Sequence, residues 1–120
     1  MEELNQFLKE YENQTNTHVF ENLRPLIAED AVFWFPDGSY KGIYEIQKAF
    51  EATFSRIQDE DYHINNLEWL AIGPVLAVCV YNFHWTGVVN GKKAEGRGRG
   101  TNIVVRRNNT WQMLHEHLSA

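Results

Sequence analysis

Gly100 to Ser119 reads GTNIVVRRNNTWQMLHEHLS. Two runs rich in β-branched and aromatic residues, Thr101 to Val105 and Trp111 to Leu118, flank a polar Arg106 to Thr110 segment that fits only a turn, so the stretch is a β-hairpin. In its second arm strict alternation sends Trp111, Met113, His115 and His117 to one side and Gln112, Leu114, Glu116 and Leu118 to the other. Both sides carry apolar groups. Such a strand needs cover on both faces, which predicts helices on one side and a partner subunit on the other.

The chain has 120 residues, enough for one domain spanning 1–120 and too few for two. Its hydrophobic share of 43% is that of a globular protein, and the net charge of -5 argues against general affinity for nucleic acid or anionic membranes. The acidic, polar start reads as no secretory signal, so a cytoplasmic protein is expected. The longest apolar run, Val75 to Tyr81, is far short of the roughly 20 residues that span a bilayer. A single cysteine, Cys79, excludes an intrachain disulfide.

Leu4, Phe7, Leu8 and Tyr11 recur at helical spacing and predict a one-faced helix over Glu2 to Thr15. A short helix over His18 to Ala28 is expected to kink or restart at Pro25. Ala31 to Phe35 reads as a strand, closed by Pro36-Asp37-Gly38-Ser39, and Ile43 to Ile57 as the long central helix. Asp59-Glu60-Asp61 reads as a polar break before a strand over Tyr62 to Ile72. Val75 to Val89 is a long strand, and Asn90-Gly91 turns it back into Lys92 to Arg107.

These features resemble the SnoaL-like branch of the nuclear transport factor 2-like superfamily. The likeness rests on the Trp that begins the last strand, the His-x-His-x-Ser that ends it, "AEDAVF" leading into the first strand, and "PDGSYKGIYEIQKAF" leading into a helix. The resemblance implies an α+β fold in which a cone-shaped, strongly curved, mixed and mostly antiparallel sheet wraps around three N-terminal helices. That scaffold hosts isomerases, cyclases and assembly domains, so it fixes no activity.

Within such a cone the odd face of the long strand, with Tyr81, Phe83 and Trp85, is expected to be the outer, dimer-forming face beside Trp111 and Met113. The even face is expected to line the cavity. Asn82, His84, Asn102, Glu116 and Tyr11 would then converge among Trp34, Phe50, Phe54 and Leu118, apolar walls with a few placed polar groups. Register leaves two alternatives. A plain two-residue turn at Asn90-Gly91 pairs Asn82 with Arg99 and His84 with Arg97 and turns the arginines inward; one bulge among Gly96, Gly98 and Gly100 turns Asn102 inward instead, the arrangement favoured here.

Glu116 in an apolar cavity would have a raised pKa, suited to a general acid or base, or to a partner for His84. His115 and His117 share a face, but no third ligand cluster accompanies them, so no metal and no other cofactor is expected. The resemblance places oxyanion donors of the ketosteroid isomerases at Tyr11 and at or beside Asn102. It also places their proton-shuttling Asp immediately before a Pro, where this chain has Phe35, so ketosteroid isomerisation is not expected. Three readings remain: a domain binding a small, mainly apolar ligand with a polar group; an acid/base isomerase, cyclase or dehydratase; and a dimeric assembly module. A homodimer belongs to all three.

Overall fold

The computed structural model describes residues 2–120. Helix α1 (Glu2–Thr15) is followed by a short α2 (Phe20–Leu23) and a 3-10 turn (Arg24–Leu26), then strands β1 (Ile27–Phe35) and β2 (Gly38–Lys41). Helix α3 (Ile43–Arg56) leads into β3 (Gln58–Ile72), β4 (Leu76–Val89), β5 (Lys92–Arg107) and β6 (Thr110–Ser119). The six strands form one open sheet in the order β2-β1-β6-β5-β4-β3. All neighbours are antiparallel except β1 and β6, so the sheet is mixed and the fold α+β. Among the described residues no helix is long and apolar enough to cross a membrane.

The helices follow from their apolar spacing. Leu4, Phe7, Leu8 and Tyr11 of α1 and Ile43, Ile46, Ala49 and Phe50 of α3 are buried, and Phe7, Leu8, Tyr11, Ile43, Ile46 and Phe50 meet Phe33, Val104 and Met113 of the sheet in one core. Pro25 ends α2 as a helix: the chain tightens into the 3-10 turn and is already strand at Ile27, four residues before the expected start. The Asp59-Glu60-Asp61 segment is strand rather than break. Asp59 adopts a positive φ of 54°, and the pairing with β4 shifts between Gln58 and Asp61.

Both hairpin turns are two residues long with positive φ at each, Asn90 and Gly91 (52° and 77°) and Asn108 and Asn109 (52° and 61°). That backbone matches the twist of the paired strands. From the first turn β4 and β5 pair without interruption, Val89 with Lys92 through to Leu76 with Val105. No bulge occurs among Gly96, Gly98 and Gly100, contrary to the expectation above. An irregularity occurs instead on β6, where Ile103 faces His115 and Val104 faces Met113, leaving Leu114 as the extra residue. It reverses the alternation of β6, so Met113 is fully buried in the core while His115 and His117 stand on the other face against Trp34.

The largest correction concerns which face of β4 looks inward. Ala77, Cys79, Tyr81 and Phe83 are the buried ones, and the intervening Asn82 is exposed. Large side chains decide this: Tyr81, Phe83 and Trp85 stand directly opposite Gly100, Gly98 and Gly96. A Cβ at Gly100 would land on the Tyr81 ring and one at Gly98 on the Phe83 ring, so the glycines are the space into which the inner aromatics fold. The arginines between them point outward.

Candidate functional site

Between α1, α3 and the inner face lies a cavity of about 370 Å3. Phe50 and Phe54 of α3 and Phe35 of β1 form one wall, Tyr62 of β3 with Phe83 and Trp85 of β4 the other, and Tyr11, Glu116 and Leu118 also line it. Phe50 lies within 6 Å of both Phe35 and Phe54, with centroid separations of 5.9 Å to each, so that wall is continuous aromatic surface.

At the inner end four strands contribute one row: Phe33, Glu116, Asn102 and Cys79 are neighbours across β1, β6, β5 and β4. Glu116 is 2% exposed and Asn102 wholly buried. The Asn102 Nδ2 donates to Glu116 Oε1 at 3.3 Å, and the Tyr81 hydroxyl donates to Asn102 Oδ1 at 3.0 Å, with a longer 3.5 Å approach to Glu116 Oε1. Burial pushes the Glu116 carboxyl up to about 7, against the opposing pull of hydrogen bonding from Tyr11, Asn102 and Tyr81. The Tyr11 hydroxyl, on a side chain 1% exposed, faces this carboxyl but makes no hydrogen bond of regular geometry. Burial and the Glu116 carboxylate hold its pKa well above the usual tyrosine value.

Helix α1 is held in place by polar clamps to β3, which fixes Tyr11 over the sheet. Glu12 accepts from the Ile64 amide at 2.6 Å, and Asn16 both accepts from the Tyr62 amide (2.7 Å) and donates to the Tyr62 carbonyl (2.9 Å). Tyr62 and Ile64 stay in register with β4, but β3 is the edge strand of the sheet, so these bonds occupy backbone groups on its open side and seat the helix there.

Of the residues singled out from sequence, Tyr11, Phe50, Phe54, Glu116 and Leu118 line the cavity, and Asn102 lies directly behind Glu116. Asn102 faces inward through the regular register, not through a bulge. Trp34, Asn82 and His84 do not belong there. Trp34 is 47% exposed on the outer face, edge-on to the rings of His115 and His117. Asn82 accepts from Asn66, and His84 pairs with Glu95 at 2.9 Å, not with Glu116. The proposed dimer row fails for the same reason: Tyr81, Phe83 and Met113 are buried inside. Sequence reasoning missed Glu60, Tyr62, Phe83 and Trp85 as cavity residues. The signal was present, since the Asn90-Gly91 register sets each aromatic of β4 against a glycine.

Cys79 faces inward but is no nucleophile: it is fully buried, and desolvation pushes its thiol up to about 12. Among the described residues no group of three or more His, Cys, Asp or Glu is placed to hold a metal ion.

Comparison with solved structures finds the same architecture repeatedly. A nuclear transport factor 2-like superfamily protein from Salmonella enterica superposes with a TM-score of 0.91 at 18% identity, covering 99% of this chain and 89% of that one. A protein with a cystatin-like fold from Caulobacter vibrioides gives 0.82 at 21% identity (97% and 85% covered), and a nuclear transport factor 2-like protein of unknown function from Pseudomonas putida gives 0.85 at 20% (99% and 84%). At these identities the likeness is one of fold. Curated proteins yield no significant match. The family model described as "SnoaL-like domain" matches residues 4–120, and with nearly its whole length so matched the chain belongs to the SnoaL-like domain family.

Proposed function

We propose that the chain is a small-molecule-binding domain, acting as a cytoplasmic homodimer, whose cavity takes a small, mainly apolar molecule bearing at least one hydrogen-bonding group. One observation carries this reading: a fully buried hydroxyl, that of Tyr11, faces the Glu116 carboxyl without a hydrogen bond of regular geometry at the end of an aromatic cavity. Leaving a buried hydroxyl wholly unpaired costs about 1–3 kcal/mol, and a ligand oxygen or nitrogen placed there would recover the part of that which the poorly aligned Glu116 contact leaves unmet. A volume of about 370 Å3 lies at the small end of the range for such sites. A thermal-shift screen of aromatic acids, sterol-like and polyketide-like compounds tests it, stabilisation growing with ligand concentration. Trp85 lines the cavity, so its emission should report occupancy. No stabilisation by any class would sink the reading.

A second reading, acid/base catalysis, is favoured by the Glu116 carboxyl alone, which at about 7 can both hold and release a proton near neutrality. Glu116 would transfer the proton and Tyr11 would hold the developing oxyanion. Phe35, at the cavity wall where the ketosteroid isomerases keep their base, takes no proton, so isomerisation of a ketosteroid should be undetectable above background. For any other turnover found, Glu116→Gln should abolish the reaction and leave binding intact.

The dimer is proposed on the outer face, whose apolar row is Leu76, Val78 and Val80 of β4 with Ile103 of β5 and Trp34 of β1. Analytical ultracentrifugation at micromolar concentration should find twice the chain mass of 14.0 kDa, reduced to the monomer by Val80→Glu. A wild-type monomer would refute it.

A further inference from the structure

The cavity holds a second carboxyl that the reading above does not use. Glu60 is on the inner face of β3, two residues before Tyr62, and its side chain lines the cavity while the residue is only 8% exposed. It makes no hydrogen bond or ion pair with any described side chain or amide; only the more distant charges of His18 and Arg56 favour its ionised form, and desolvation outweighs them, raising its pKa. Its oxygens open into the cavity rather than being sealed in protein, and facing a desolvating aromatic lining with no protein donor they favour a ligand that supplies one.

Around it the lining is aromatic: Phe54, Tyr62, Phe83 and Trp85. Three of the charged groups on the lining are carboxyls, Asp37, Glu60 and Glu116, of which Glu60 and Glu116 are the buried ones. The two cations, Arg56 and Arg97, are exposed at the rim; the Arg97 side chain is 79% exposed and leans on Glu95 at 3.5 Å, so water screens both. His18 lends its imidazole to the Glu60 carbonyl at 2.7 Å, and Asp37 accepts from Tyr40. A cavity-facing carboxylate without a protein donor, walled by π-faces, is the chemistry that holds an organic ammonium.

Resting on the reading of the cavity as a ligand site, we infer that its preferred occupant is a lipophilic organic cation, a protonated amine. The ammonium donates to Glu60 and the apolar body lies along Phe54, Phe83 and Trp85. A carboxylate of the same skeleton would instead face two buried carboxyls, and a neutral donor such as an alcohol would give Glu60 a hydrogen bond but no compensating charge.

Three compounds on one naphthylmethyl skeleton, the primary amine, the alcohol and the carboxylic acid, test this by calorimetric titration of the full chain at neutral pH. The amine should bind about tenfold or more tighter than the alcohol, a difference worth 1.4 kcal/mol per factor of ten, and tighter still than the acid. Glu60→Gln should bring the amine to the alcohol's level while leaving the alcohol within about twofold, which also shows that the cavity survives the substitution. The acid binding as tightly as the amine, or an amine affinity untouched by Glu60→Gln, overturns the inference and leaves the cavity reading standing. Failure of all three compounds to bind overturns the cavity reading and the inference with it.

Discussion

On the face of β4 and β5 that looks toward the helices, Tyr81, Phe83 and Trp85 stand over glycines; on the opposite face His84 stands over Arg97 and Asn82 over Arg99. The inner face is organised by volume. Each ring needs a partner position with no side chain, and Gly96, Gly98 and Gly100 provide three in succession. Toward the Asn90-Gly91 turn the outer face is organised by charge and solvent, with His84 on Glu95 and His63 on Asp61. Polarity alone therefore misleads about which side of a curved strand is concave. Here the apolar face is inside because the cavity itself is apolar, and its polar groups come from β3, β6 and α1.

Substitutions on the two faces should differ sharply. Phe83→Ala should lower unfolding free energy by about 3 kcal/mol, the loss expected on truncating a buried aromatic, while the adjacent Asn82→Ala should stay within about 0.5 kcal/mol. Urea denaturation of the pair checks this, and equal losses would erase the distinction between the faces.

A pH effect of comparable size belongs to the inner face. The folded Glu116 carboxyl keeps its proton up to about 7, whereas the unfolded one releases it near the ordinary value of 4.5. Between those values the folded state binds more protons, so stability falls as pH rises through the window and levels off above it, by roughly 3 kcal/mol in all. Glu60, also raised, adds in the same direction. The Asp30 and Glu95 carboxyls, held low by Arg107 and by His84 respectively, act at more acid pH and are exposed. Glu116→Gln should remove most of the decline, and a decline of the same size in that variant would assign it to other groups.

Gly100→Ala should cost about 1–3 kcal/mol by driving a methyl into the Tyr81 ring, and Arg99→Ala, one residue away on the outer face, almost nothing. Thermal melts of the two variants would sharpen the comparison. A neutral Gly100→Ala would mean that the ring moves aside freely.

Much of the architecture was legible because local signals agreed: helical spacing in α1 and α3, and Asn90-Gly91 and a polar turn closing the two hairpins. Three things were not. The extra residue at Leu114 leaves no mark in an arm already apolar on both sides, so Met113 and His115 were placed on one face although the structure separates them. The Asp59-Glu60-Asp61 run looks like a loop because its charges suit solvent, yet it runs as strand with Glu60 turned inward, its carbonyl held by His18 from the turn after α1. Placing polar residues at the cavity then put Asn82 and His84 there and Phe83 outside, the reverse of the packed arrangement. Glu116 could be singled out because it alternates with two histidines on a strand end, and its neighbours Leu114 and Leu118 are apolar.

The central claim is that the Glu116 carboxyl sits dry at the inner end of the cavity with Tyr11, Asn102 and Tyr81 around it. Carbon-13 NMR titration of the Glu116 side-chain carboxyl measures this directly. A midpoint near 7 is the predicted result. A midpoint at the ordinary carboxylate value near 4.5 would mean that water or a cation reaches the group, and the cavity as described would be wrong.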